Sequence, residues 1–119
     1  MMQRLIIEMG SGNDLHGMDY QKAAERAIVD AIRHSTLPVF DSIGLPHSEM
    51  EVRVTIGVAE PEKIDESALA ALMPRGRADV RATRGGQTVE VPGGDTIVIA
   101  TAAIEAFLPS QSAYWQKSD

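Results

Sequence analysis

The 119-residue sequence contains no cysteine and few aromatic side chains: one tryptophan, two tyrosines and two phenylalanines. The lack of cysteine excludes disulfides, thiolate catalysis and cysteine-ligated zinc, so any metal must be held by histidine and carboxylate side chains. The lack of aromatics predicts an aliphatic core. No apolar run is long enough for a signal sequence or a membrane span, and we expect a cytoplasmic protein.

The chain also lacks an excess of positive charge. It carries 11 lysines and arginines against 17 aspartates and glutamates, a formal net charge of -6. This charge repels a phosphate backbone, and no basic helix offsets it, so we expect neither a nucleic-acid nor a membrane partner. The share of hydrophobic residues, 44%, is ordinary for a globular protein. The length predicts a single α/β domain over residues 1–119, with 109–119 as a looser C-terminal tail.

The hydrophobic pattern predicts the element order β-α-β-α-β-β-β-α. "RLIIEM" and the alternating "EVRVTIGVA" are typical of strands with one or both faces buried. Asp19 and Asp65 are the predicted N-caps of two helices. The glycine turns Gly85-Gly86 and "PGGD" predict a three-stranded meander, and Ala102 to Leu108 predicts a last helix. The apolar stripe of the first helix consists of Ala23, Ala27, Ile28, Ala31 and Ile32.

This order predicts an α/β (α+β) fold: a two-layer sandwich, with a mixed sheet of about five strands and helices on one face. The other sheet face is then either solvated or a subunit interface, and we expect a homo-oligomer because a sheet covered on one side often completes its burial by association. The side chains predicted on that face are Arg53, Thr55, Arg81, Thr83, Thr88 and Glu90.

The candidate site is "GSGNDLHGMD", which is predicted to follow the first strand, where ligands bind in α/β sheets. The glycines Gly10, Gly12 and Gly17 allow tight turns or a close approach to a ligand. Their spacing matches neither the dinucleotide-binding nor the P-loop pattern, which argues against a nucleotide.

Asp14 and His16 are separated by one residue and would project to the same side of an extended segment. They could bind one divalent metal, such as zinc or manganese, or form an acid/base pair. The alternative interpretation is that Asn13 and Asp14 cap turns or the helix start, and that His16 is an ordinary loop residue.

"GSGNDLHG" resembles a GxGxDxHG signature of an uncharacterised family of small conserved bacterial proteins, which also occurs as a domain of longer plant proteins. The resemblance extends through "DAIRHSTLP", "EVRVTIGV", "ADVRATRGG" and "GGDTIVIATAAIEAFLP". The function of that family is unassigned. The resemblance therefore implies a shared fold over most of the chain but no particular reaction.

A second, local resemblance is to methylerythritol cyclodiphosphate synthase, whose first strand ends in Gly-x-Asp-x-His. It implies that Asp14 and His16 bind a divalent metal at a trimer interface. The third ligand of that family is a histidine in a His-Ser-Asp segment, where this chain has only "RHSTLP" with His34.

A third ligand is difficult to supply within one chain. A helix from Asp19 to His34 would separate its ends by roughly 22 Å, and His47 precedes a strand that starts at the far end too. We therefore expect the third ligand to be Glu8 of the first strand, or His34 or His47 of a neighbouring subunit.

Four of the eleven basic residues lie close together in "PRGRADVRATRG": Arg75, Arg77, Arg81 and Arg84. Guanidinium groups bind carboxylate or phosphate in a bidentate manner, and Arg75 and Arg77 flank Gly76 in a loop. These two are candidates for holding the anionic end of a ligand. The alternative is a set of solvated or interface salt bridges.

Together these features predict an enzyme, with or without a metal, that acts on a small polar or anionic metabolite in a cleft between identical subunits of a homo-oligomer, for which a trimer or larger assembly is one alternative. The competing hypothesis is a non-catalytic small-ligand-binding or oligomeric interaction module that uses the same loop. In the enzyme hypothesis, Asp14 and His16 are metal ligands or an acid/base pair. The predicted ligand-binding residues are Gly10, Gly12, Asn13, Gly17, Arg75 and Arg77.

Overall fold

A computed structural model of the protein describes residues 2–33, 51–73 and 77–109. The predicted tail therefore lies outside the described residues except for Pro109. Within these ranges the elements are β1 (Met2–Asp14), α1 (Tyr20–Arg33), β2 (Glu51–Val58), α2 (Glu66–Ala70), β3 (Arg77–Arg84), β4 (Gln87–Val89) and β5 (Ile97–Pro109), with a short 3-10 turn at Pro61–Lys63.

The five strands form one open, mixed sheet in the order β1-β5-β2-β3, with β4 paired to β5. β2 and β3 are parallel, whereas β5 is antiparallel to β1, β2 and β4. α1 packs on β1 and β5, and α2 packs on β3, so that both helices contribute to a single core. The α+β class and the mixed five-stranded sheet predicted from the sequence are confirmed.

The core lies between the helices and one face of the sheet. In β2, the even-numbered residues Val52 to Val58 are at most 2% exposed, while Arg53 and Thr55 are exposed, as the alternation predicts. α1 buries mainly alanines, which let the helix lie close to the strands. The predicted helix stripe and both N-caps are confirmed: the Asp19 and Asp65 carboxylates accept backbone N–H bonds from Lys22 and Ala68.

The predicted last helix is wrong, because Ala102 to Leu108 belongs to β5. Alanine favours helices, but the even-numbered residues from Val98 to Ala106 are at most 8% exposed, and Thr101 on the opposite face is exposed. This two-residue period is that of a strand. β5 is central in the sheet, and pairing on both edges outweighs the helix propensity of its alanines.

The predicted meander is only partly correct, since β4 pairs with β5 but not with β3. The Gly85 N–H donates to the carbonyl of Val58, so the chain leaving β3 crosses the end of β2 before it pairs with β5. Gly85 and Gly86 therefore serve a crossing over Gly57 rather than a hairpin turn. Thr88 pairs with the buried Val98 and lies on the helix side of the sheet, which corrects its predicted position on the polar face.

Side chains from the helices bind individual backbone groups on both edges of the sheet. On β1, the Asp30 carboxylate accepts the N–H of Ser11, and the Arg26 guanidinium donates to the carbonyl of Asn13. On β3, the Glu66 carboxylate accepts the N–H of Ala82 at 2.7 Å. These contacts satisfy backbone groups that would otherwise attract a further strand. Among the described helices, none is long and apolar enough to cross a membrane.

Candidate functional site

The glycine-rich segment is strand rather than loop up to Asp14, which corrects the predicted end of the first strand. Gly10 and Gly12 face α1, and a Cβ atom at either position would lie closer than 3.0 Å to backbone atoms of Ala27. These two glycines therefore allow close helix packing, and their role in ligand binding stays a prediction. In Asn13 the backbone carbonyl is bound by Arg26, and the residue is exposed.

Asp14 ends β1 and is only 4% exposed. Its Oδ2 accepts the N–H of Asp19 at 3.0 Å, and its Oδ1 lies 3.7 Å from the Arg26 guanidinium. Asp19 in turn caps the first turn of α1. Asp14 thus joins the end of the strand to the start of the helix, as the capping interpretation of the sequence predicted.

His16 lies in the turn between β1 and α1, where Gly17 and Met18 adopt positive φ angles of 84° and 52°. Its side chain is 83% exposed, and its Nδ1 lies 2.6 Å from Oδ2 of Asp95, in the turn before β5. An ionised carboxylate only accepts hydrogen bonds, so Nδ1 carries the proton and donates. In the neutral ring, the other nitrogen, Nε2, then has a free lone pair.

A second polar group lies beside this pair on the first turn of α1. Tyr20 is 6% exposed, and its hydroxyl hydrogen-bonds to the side chains of Glu60 and Thr88. The bond to Glu60 and then burial raise the pKa of Tyr20 above its usual value. The same bond, helped by Lys63, lowers the pKa of Glu60. The His16–Asp95 contact and the Tyr20–Thr88 hydrogen bond therefore connect the start of α1 to the hairpin formed by β4 and β5.

The contacts of Asp14 and His16 do not favour a shared metal. No hydrogen bond joins their side chains in the described structure, and the guanidinium beside Asp14 repels a second cation. Glu8 lies six residues before Asp14, about 20 Å along the strand. Residues 2–33, 51–73 and 77–109 contain no group of three or more metal-ligating side chains, while His34 and His47 lie outside them.

Of the two predicted anion-binding arginines, only Arg77 lies within the described residues, and it is far from His16 in the sheet. Arg77 begins β3, whose parallel partner β2 begins at Glu51, so it lies at the amino edge of the parallel strands. Asp14 and His16 lie at the opposite, carboxyl edge. Arg75 lies outside the described residues. Within one subunit, Arg77 and His16 therefore cannot hold the same small ligand.

Sequence reasoning missed the residues that complete the site. Asp95 is 79 positions from His16, and its place in "PGGD" is that of an ordinary turn residue. Arg26 was not singled out from the sequence, although it binds the end of β1. No local pattern carries these pairings, because each depends on how β1, α1 and β5 meet.

Comparison with known sequences identifies the family. A profile of the conserved hypothetical protein family Lin0512_fam matches residues 4–106. The chain belongs to the Lin0512_fam family. This confirms the resemblance that the GxGxDxHG segment indicated. A comparison with curated proteins found no similar sequence.

A solved structure supports the fold of this Lin0512_fam member. The chain is similar to an FtsZ-like protein of unknown function from Nostoc punctiforme, with 37% sequence identity and a TM-score of 0.80. The match covers 92% of this chain and 98% of that chain. The two proteins therefore share the whole fold. Because the function of the related protein is unknown, the similarity assigns no activity to this chain.

Proposed function

We propose that the protein is an enzyme that moves a proton on a small polar metabolite, with His16 as the base and Asp95 as the residue that positions it. The observation that carries this proposal is the 2.6 Å contact between His16 Nδ1 and Asp95 in an exposed turn at the carboxyl edge of the parallel strands. Ligands collect at that edge in open α/β sheets.

The pair has the parts that general base catalysis needs. With Nδ1 donating to Asp95, Nε2 can accept a proton from a hydroxyl or amine of the metabolite, whose bonding electrons stay on the substrate atom. The Asp95 carboxylate then stabilises the imidazolium that forms. Leu15 and Met18, which are 49% and 41% exposed, add apolar surface to the same turn.

Three parts of the sequence hypothesis stay predictions. A divalent metal at Asp14 and His16 is less favoured than proton transfer, because Asp14 is already bound to Arg26 and Asp19. The anionic substrate and the cytoplasmic location also stay predictions. A non-catalytic oligomeric module is the second candidate, favoured by a polar sheet face that no described element covers.

Ligand-observed NMR of small polar metabolites tests the proposal. We expect a metabolite that binds the wild type to lose at least tenfold in affinity in His16→Ala, because the free Nε2 is its main polar partner. Thr83→Ala is the matched control: Thr83 is also exposed but lies on β3, and its replacement should leave binding unchanged. A metabolite that binds His16→Ala as tightly as wild type would contradict the proposed site.

A further inference from the structure

The sheet face opposite the helices, called here the open face, is not covered by any described element. Its position follows from the strand register, since residues directly opposite each other point to the same side. The open face carries Ile7 and Met9 of β1, Arg53 and Thr55 of β2, Asp79 and Arg81 of β3, and Glu105 and Phe107 of β5.

The β1 side of the open face is apolar. Ile7 is 49% exposed and Met9 is 68% exposed, and they pair with Glu105 and Ala103 of β5. Two large apolar side chains on neighbouring positions of one face are unusual for a strand whose outer face is solvated.

The β2 and β3 side of the open face carries charges of both signs. A hollow of about 470 Å³ is lined there by Arg53 and Arg81 and by the three acids Glu51, Asp79 and Glu105. Arg53 also lies 4.3 Å over the ring of Phe107. Two arginines against three acids leave this side with a net charge of only -1, in a chain whose total is -6.

Association through the edges of the sheet is blocked where helix side chains bind them. Asp30 and Arg26 occupy the backbone of β1 at Ser11 and Asn13, and Glu66 occupies that of β3. The open face is a larger surface that no described element covers. The backbones of its four strands span an area of roughly 650 Å², without the extra area of protruding side chains. This is close to the ~800 Å² that each partner contributes to a standard interface.

We propose that a second copy of this chain packs its open face on the open face of the first, to form a two-fold dimer with two sheets face to face. A two-fold interface brings the same patch together twice, so the patch must complement itself. A patch in which arginines lie next to acids can complement itself, because the arginines of one copy can face the acids of the other across the two-fold axis. The near-neutral patch also lowers the repulsion between two acidic chains. The sequence predicted a homo-oligomer, with a trimer or larger assembly as one alternative, and the proposal is a dimer.

Sedimentation equilibrium of the full chain tests this interface. We expect wild type to be dimeric at micromolar concentration, and Met9→Asp and Arg81→Glu each to raise the dimer dissociation constant at least tenfold. Met9 and Arg81 are both largely exposed in the single chain, so neither change should alter the melting temperature of the monomer.

Val29→Asp is the matched control, since Val29 is 44% exposed on α1 and lines a hollow between the helix and the end of β1, away from the open face. It should leave the dissociation constant unchanged. A wild-type chain that stays monomeric at about 100 µM would overturn the proposal, because a dissociation constant above that concentration belongs to a very weak interface. An association that Val29→Asp weakens as much as Met9→Asp would also overturn it, because the helix side would then be the contact.

Discussion

Gly12→Ala is expected to lower the free energy of unfolding by roughly 3 kcal/mol, at the upper end of what overpacking costs. A Cβ atom at Gly12 would meet the backbone N of Ala27 and the backbone O of Ala23 closer than 3.0 Å, which real Cβ atoms essentially never show. Backbone atoms cannot turn away as a side chain can, so α1 must move off the sheet. Urea denaturation followed by circular dichroism measures the change.

Gly93→Ala provides the matched control for that prediction. Gly93 has a positive φ of 76° but nothing within 4 Å of its added Cβ, so only backbone strain opposes the change. Such strain costs about 1 kcal/mol. If Gly12→Ala cost no more than Gly93→Ala, the close packing of α1 on β1 would not be the reason for the glycine.

Asp14→Ala is expected to lower the free energy of unfolding by about 2 kcal/mol. The change leaves the part-buried N–H of Asp19 without its acceptor and takes the carboxylate away from Arg26. The ion pair adds little to this figure because the Arg26 side chain is half exposed. Thermal and urea denaturation of the variant give the measurement.

Two further variants separate the role of Asp14 from that of His16. Asp14→Asn keeps an oxygen that can accept the Asp19 N–H and should lose less stability than Asp14→Ala. His16→Ala should change the free energy of unfolding by less than about 0.5 kcal/mol, since both partners of its hydrogen bond to Asp95 are exposed. An Asp14→Ala protein of wild-type stability would show that Asp14 does not hold the strand to the helix.

The sequence was sufficient for elements whose pattern and packing agree. β2 alternates cleanly, and α1 has a stripe of alanines behind an aspartate cap, so both were predicted correctly. β5 was not, because its alanines favour a helix and only its central place between β1 and β2 makes it a strand. That place depends on the whole sheet, which no local window contains.

The segment of the candidate site could be chosen from the sequence, but most contacts within it could not. In "GSGNDLHG", Gly10 and Gly12 pack against a helix, and Asp14 binds the helix start, as the capping interpretation predicted. Asp14 and His16 could converge on one metal only if the chain stayed extended between them, because side chains at i and i+2 point to the same side only in an extended segment. β1 ends at Asp14, and the chain turns before His16. The partner of His16, Asp95, comes from the far end of the sequence.

The tautomer of His16 tests most directly whether Asp95 holds this histidine as a base. We predict that long-range ¹H–¹⁵N spectra at a pH where the ring is neutral show the proton on Nδ1 and a free Nε2. In Asp95→Ala the spectra should shift toward the tautomer with the proton on Nε2. Identical His16 spectra in wild type and Asp95→Ala would contradict the account, because Asp95 would then have no hold on the imidazole.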